Sequence, residues 1–406
     1  MNKFLLVLLF CVNAVFAQDA YHIKSFQFEG SKESVYPIFR LGETIRFSFD
    51  DLLGTEIDYN YRITHCTRDW KPSTLKRTEY IYGNELVRLR NLSNSFTTLQ
   101  MYTHYQESFP NQYQKILLSG NYILEILNSD EEVLLNRKFV VYEDQVTVAL
   151  EAKRSRDLST SSQKQNLYAT IDLGSGLYQN PNQYLQLVLM QNGQFFNTIS
   201  NVKPQFIIGN QLKYQYDKET SFYGGNEFLY FDNSDIRITN NTIATITAGD
   251  LYESHLFTDR SKADVGYTFF EDLNGAFYPN IRYRSENVRH VEADYAWVYF
   301  SLDTAPRKEA IYVAGMFNGY EFNDDNKMTF NRNNNRYEAA LLLKQGFTSY
   351  QYYVSKDGVI DFKDNISGNY FETENQYHAL VYYKGPTDRY DRIIGMGSVR
   401  TNNITN

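Results

Sequence analysis

The feature that most constrains the fold is an apolar/polar alternation of period two that recurs along the chain. Ile45-Arg46-Phe47-Ser48-Phe49 follows it, and so does Ile57-Asp58-Tyr59-Asn60-Tyr61-Arg62-Ile63. Successive side chains of a strand point to opposite faces, so each run has one face for a core and one for water or a neighbour. The residues that fill the runs reinforce this reading. The chain holds 35 Tyr and 28 Phe, types that suit a pleated, half-buried surface. Asn121–Leu127 and Arg137–Tyr142 read as a closing pair around a turn at Asn128–Glu132.

The alternation resumes at Asn166–Asp172 and Tyr184–Met190, after a polar, Ser-rich connecting loop at Lys153–Lys164. Asn192-Gly193 is a strong hairpin signal. Phe228–Phe231 and Ile236–Thr239 continue this second unit. A third comprises Ala296–Leu302, Ile311–Gly315, Tyr337–Leu343 and Gln351–Val354. Short strands at near-regular spacing, without a convincing helix, predict an all-β protein of three consecutive β-sandwich units. The predicted boundaries are 1–17 for a signal peptide, 18–145 for the first unit, 146–285 for a middle β unit, 286–385 for a C-terminal unit and 386–406 for a polar tail.

Residues 1–17 read as a secretory signal. Lys3 gives a short positive region, Phe4–Val12 an apolar stretch too short to span a bilayer, and Val15-Phe16-Ala17 a cleavage site before Gln18. Phe10 is too bulky to precede a lipid-modified Cys11. Cleavage leaves Cys66 alone, which excludes an internal disulfide and reads as a small buried hydrophobe. The formal charge of −8 becomes one unit more negative when Lys3 is lost. An acidic chain without basic clusters is a poor nucleic-acid binder, and no segment suits direct membrane insertion.

No catalytic, cofactor or metal site is expected. His22, His65, His104, His255, His290 and His378 have no metal-ligand spacing, and no nucleophile elbow or phosphate-binding loop occurs. Asp50-Asp51 and Asp324-Asp325 are adjacent pairs, which a strand would send to opposite faces. They read as turn caps rather than as an acid/base dyad. Asn323–Asn326 reads as an exposed hairpin loop, lacking the fixed spacing of a calcium loop.

Five ordered blocks in residues 24–145 carry a resemblance. They are Phe47–Leu52, Tyr59–Trp70, Glu79–Gly83, Tyr102–Tyr105 with Phe109–Asn111, and Leu118–Tyr122. Together they resemble the N-terminal domain of the type IX secretion system plug proteins. The resemblance implies a non-enzymatic periplasmic subunit that closes the periplasmic mouth of a very large outer-membrane β-barrel translocon. The third unit, through Ile311–Tyr320, Tyr337–Gly346 and Tyr350–Tyr352, resembles early-set, immunoglobulin-like modules related to glycogen-binding domains. Those modules stack sugars on exposed tryptophans. Here Tyr320 stands where they usually have Trp, and Trp297, in an apolar strand, reads as core. A carbohydrate-binding accessory protein is therefore the alternative, marked by an exposed aromatic platform on the third unit. His65, Arg68, Asp69, Trp70, Tyr102, His104 and Tyr320 are the partner-binding candidates, with Arg68-Asp69-Trp70 as an anchor at a loop tip. For His65, Trp70 and His104 the competing expectation is a packed, hydrogen-bonded corner of the sandwich.

Overall fold

The computed structural model describes residues 19–30, 35–176, 178–401 and 404. The expected signal peptide and most of the last six residues lie outside them. The described chain is almost entirely strand, with four-residue helical turns at Arg77–Tyr80, Pro181–Tyr184 and Arg289–Glu292.

The first unit is a sandwich. One sheet orders Ile23–Glu29, Ile45–Asp51, Thr103–Phe109 and Leu92–Asn94; the other orders Ile38–Arg40, Val133–Tyr142, Gly120–Leu127, Asn60–Cys66 and Val87–Arg88. Their inward faces meet in one core that includes Phe47, Phe49, Tyr61, Tyr105, Tyr122 and Phe139. Phe49 stacks on Tyr105 at 5.2 Å, and Tyr122 on Phe139 at 5.4 Å. A buried tyrosine needs an acceptor for its hydroxyl. Tyr105 donates to the Ile57 carbonyl at 2.8 Å, Tyr122 to that of Leu118 at 2.7 Å, and Tyr59 to Asp51 Oδ2 at 3.0 Å. The core can thus be aromatic and tyrosine-rich without stranded polar groups at these rings.

The second core joins a sheet containing Thr147–Arg154, Lys164–Asp172 and Gln211–Tyr214 to one ordering Thr198–Val202, Leu185–Gln191, Gln376–Tyr383 and Arg392–Arg400. The third joins sheets containing Leu229–Asp232 and Gly346–Lys356 on one side and Tyr295–Asp303 and Arg336–Lys344 on the other.

These pairings correct several expectations. The third unit is inserted into the second, so the units do not follow one another at 146–285 and 286–385. Leu185–Gln191 pairs with Gln376–Tyr383 in the register Leu185↔Tyr383 to Gln191↔Tyr377. The residues after 385 are not only a tail: Arg392–Arg400 is a strand whose Ile393 and Ile394 are fully buried. The Ser-rich loop after Arg154 joins two strands of one hairpin, with Arg154 opposite Gln165, and does not separate units. Ile236–Thr239 is no strand: Asp235 Oδ1 accepts the Arg237 amide at 3.2 Å, which makes it a turn. Asn192 and Gly193 both have positive φ, as a tight hairpin requires, but Thr198 is the residue that pairs with Met190. The longer connection carries Phe195 and Phe196 out of the sheet. Trp297 is 39% exposed, because its strand buries Val298 and Phe300 and turns position 297 outward.

Candidate functional site

A buried cluster of ionisable side chains lies where the first unit meets the third. Its centre is Asp50, only 1% exposed, on the outer face of Ile45–Asp51. Alternation sends Phe49 into the aromatic core and Asp50 the other way, where the third unit covers it. Oδ1 lies 2.7 Å from His104 Nδ1 on the adjacent strand. Oδ2 accepts from Lys344 Nζ and from the Tyr295 hydroxyl, each at 2.6 Å. Lys344 Nζ also donates to the His290 carbonyl at 2.8 Å and lies 4.2 Å from the Tyr102 ring centroid. A register shift between Lys24 and Gln27 accompanies a positive φ at Ser25, whose Oγ lies 2.7 Å from the Tyr295 hydroxyl. Tyr102 crosses the same junction, donating to the Ala293 carbonyl at 2.7 Å, and His104 stacks on His290 at 4.9 Å.

Burial alone would raise the Asp50 carboxyl, but Lys344 and His104 outweigh it and hold the group below the usual carboxylate range. Burial lowers the Lys344 ammonium against the pull of Asp50, and lowers the His290 ring to about 4. The Asp50 oxygens are filled by protein donors, and Asp50 and Lys344 are closed to water. The chemistry available to such a closed pair is to fix one unit against another.

The remaining candidates occupy related positions. His65 is buried, with Nε2 3.4 Å from the Ser119 carbonyl, and is ringed by Tyr80, Tyr122 and Tyr390; burial brings it to about 4. A Cβ at Gly120, where φ is +148, would lie 2.4 Å from that imidazole. Trp70, at φ 61, is half-buried rather than a free loop tip. Its ring meets Phe195 of the second unit at 4.8 Å, with Lys138 Nζ 5.1 Å from its centroid. The Arg68 amide donates to Asp391 at 3.3 Å, while Asp69 is exposed. Tyr320, half-buried, packs against Phe196 of the second unit and Tyr353 of its own. The sequence candidates thus fall at three separate junctions and one corner, and do not form one surface. Asp50, Tyr295 and Lys344 were missed. The one signal was Lys344 closing an otherwise apolar strand end.

Among the described residues no three His, Cys, Asp or Glu side chains are grouped as for a metal, and no helix is long and apolar enough to cross a membrane. Fold and junctions together define a class: a multi-unit β-sandwich protein whose buried ionic groups hold its units in fixed relation. Residues 23–143 match the family described as the type 9 secretion system plug protein first domain. This first domain is that of the type IX secretion system plug family, which is a secretion-system component and not a known enzyme family. It is similar over nearly its whole length to a hypothetical protein from Parabacteroides merdae seen in a crystal structure at 28% identity. That match covers 94% of this chain and 98% of that one, with a TM-score of 0.90. A match to trypsin-activated alpha-2-macroglobulin from Escherichia coli, at 11% identity, covers 95% of this chain and 29% of that one, and its TM-score of 0.18 is too low for a shared overall fold. No curated protein matches the chain.

Proposed function

We propose that this chain is the periplasmic subunit that closes the periplasmic mouth of the outer-membrane β-barrel through which the type IX system exports protein. The observation that carries this reading is the match of residues 23–143 to the plug first domain. The junctions support it mechanically. That first domain touches both other units, through Asp50 and Lys344 on one side and through Tyr36, Val140, Met190 and Tyr382 on the other. A body stiffened in this way can occlude a pore without deforming under load. The export signal read in Lys3–Ala17 supports a periplasmic location.

The buried or half-buried state of six of the seven candidates moves the proposed contact surface elsewhere. Phe206, Ile207 and Ile208 are 50, 50 and 60% exposed on a strand at the edge of its sheet. An open apolar edge of this kind is a docking surface by default. Tagged protein purified from solubilised envelopes should carry a large outer-membrane β-barrel with it, and Ile207→Lys should release the barrel. Recovery without any barrel would contradict the reading.

One observation favours the carbohydrate reading: Trp297 is exposed on the outer sheet face of the third unit, beside Tyr299 stacked on His255 at 4.3 Å. The substitution that tests it is therefore at Trp297 and not at the half-buried Tyr320. Retention on an α-glucan matrix that vanishes in Trp297→Ala would put carbohydrate first; the plug reading expects no retention.

A further inference from the structure

A cleft of about 720 Å³ opens where the three units converge. Phe26 and Phe28 of the first unit, Phe195 and Phe196 of the second, and Phe277 and Phe322 of the third line it. This is the size and wall chemistry of a small-molecule site, with room for an apolar body against aromatic faces.

Its charges are unequally satisfied. Arg137 is committed to Asp19, with Nη1 to Oδ1 at 2.9 Å, and to Glu321 at 3.4 Å. Lys138 lies against the Trp70 ring. Arg289 also lines the cleft, 4.1 Å from the Tyr278 ring centroid, and has no carboxylate partner among the described residues. Its Nε faces His290 Nε2 at 3.4 Å, and its Nη1 is buried with no acceptor. A buried donor left without an acceptor is unfavourable until something accepts from it. The planar guanidinium matches a carboxylate in particular. Glu29 and Glu321 on the walls oppose a second negative charge.

We infer that this cleft binds an organic monoanion with an apolar body and one carboxylate, the carboxylate seated on Arg289. A medium-chain fatty acid and the C-terminal end of an apolar peptide share that chemistry. Because residues from all three units line the cleft, an occupant bridges them. The inference is independent of the plug reading, and its failure leaves that reading untouched.

Calorimetric titration of the full mature chain tests it with four probes: decanoate, decanol, and the tripeptide Phe-Leu-Phe as free acid and as C-terminal amide. One or both carboxylates should bind, and which one binds identifies the source. The matching neutral probe should bind about tenfold more weakly or not at all. Arg289→Gln should weaken the carboxylate by about tenfold while melting within about 2 °C of wild type, and Arg289→Lys should recover part of the loss. Binding of neither carboxylate, equal binding of a carboxylate and its neutral counterpart, or binding unchanged in Arg289→Gln by protein that melts as wild type would overturn the inference.

Discussion

Asp50 is held by three side-chain donors that come from two units: His104 from its own, Tyr295 and Lys344 from the third. Breaking a buried pair by removing one member leaves the other charge uncompensated. Asp50→Ala should therefore destabilise by about 3–5 kcal/mol in denaturant unfolding, and Asp50→Leu with Lys344→Met by less than the two single losses combined. Additive losses would show that the two groups do not act as a pair. His378 offers a second test at this scale. Its ring is buried against Tyr36, and burial lowers it to about 4. An unfolded histidine titrates near 6.5. Between those values the unfolded chain holds more protons than the folded one, so this residue's contribution falls as pH drops from about 6.5 towards 4. Burial pushes the Glu227 and Glu321 carboxyls up to about 7, which acts in the opposite sense, so the effect is read by difference. Between pH 7 and pH 5, His378→Leu should gain on wild type by about 2 kcal/mol, at 1.36 kcal/mol per pKa unit. A pH-independent difference would mean that the ring titrates normally. At residue scale the sequence was partly legible. Phe47, Phe49, Tyr59 and Tyr61 announced their core positions through alternation. Asp50 read as a turn residue because its cover, Lys344, arrives from 294 positions away.

Elements follow the same division between local and distant information. The strands Ile45–Asp51, Asn60–Cys66, Gly120–Leu127 and Val133–Tyr142 lie where periodicity puts them, within a few residues. The turn between the last two forms as its sequence implies, with Asn128 Oδ1 accepting the amides of Asp130 and Glu132. What periodicity cannot show is which strand pairs with which. Gln376–Tyr383 and Arg392–Arg400 complete a sheet begun nearly two hundred residues earlier, a non-local pairing with no local signature. Removing residues 386–406 should therefore unfold the second unit and not merely trim a tail. Ile394→Ala alone should cost about 2–5 kcal/mol, the range for truncating a fully buried side chain. Wild-type melting in the truncated chain would contradict the pairing.

At the scale of the whole molecule, three sandwich cores are joined by contacts of different kinds. Asp50 with Lys344 and Arg137 with Glu321 tie the first unit to the third; Trp70 on Phe195 and the apolar contact around Tyr36 and Tyr382 tie it to the second. The domain that carries the plug-family match is thus the hub of the molecule. The sequence pointed to that family through five blocks in one unit. It did not show that several of those same blocks supply the junction residues, since burial between units depends on segments far apart in the chain. The role proposed for this body is to close the secretion channel. The most direct test is conductance. The outer-membrane barrel of the type IX system, reconstituted alone in a planar bilayer, should pass a large current that falls when the mature chain is added from the periplasmic side. A current that stays unchanged while the chain is bound to the barrel would rule this role out.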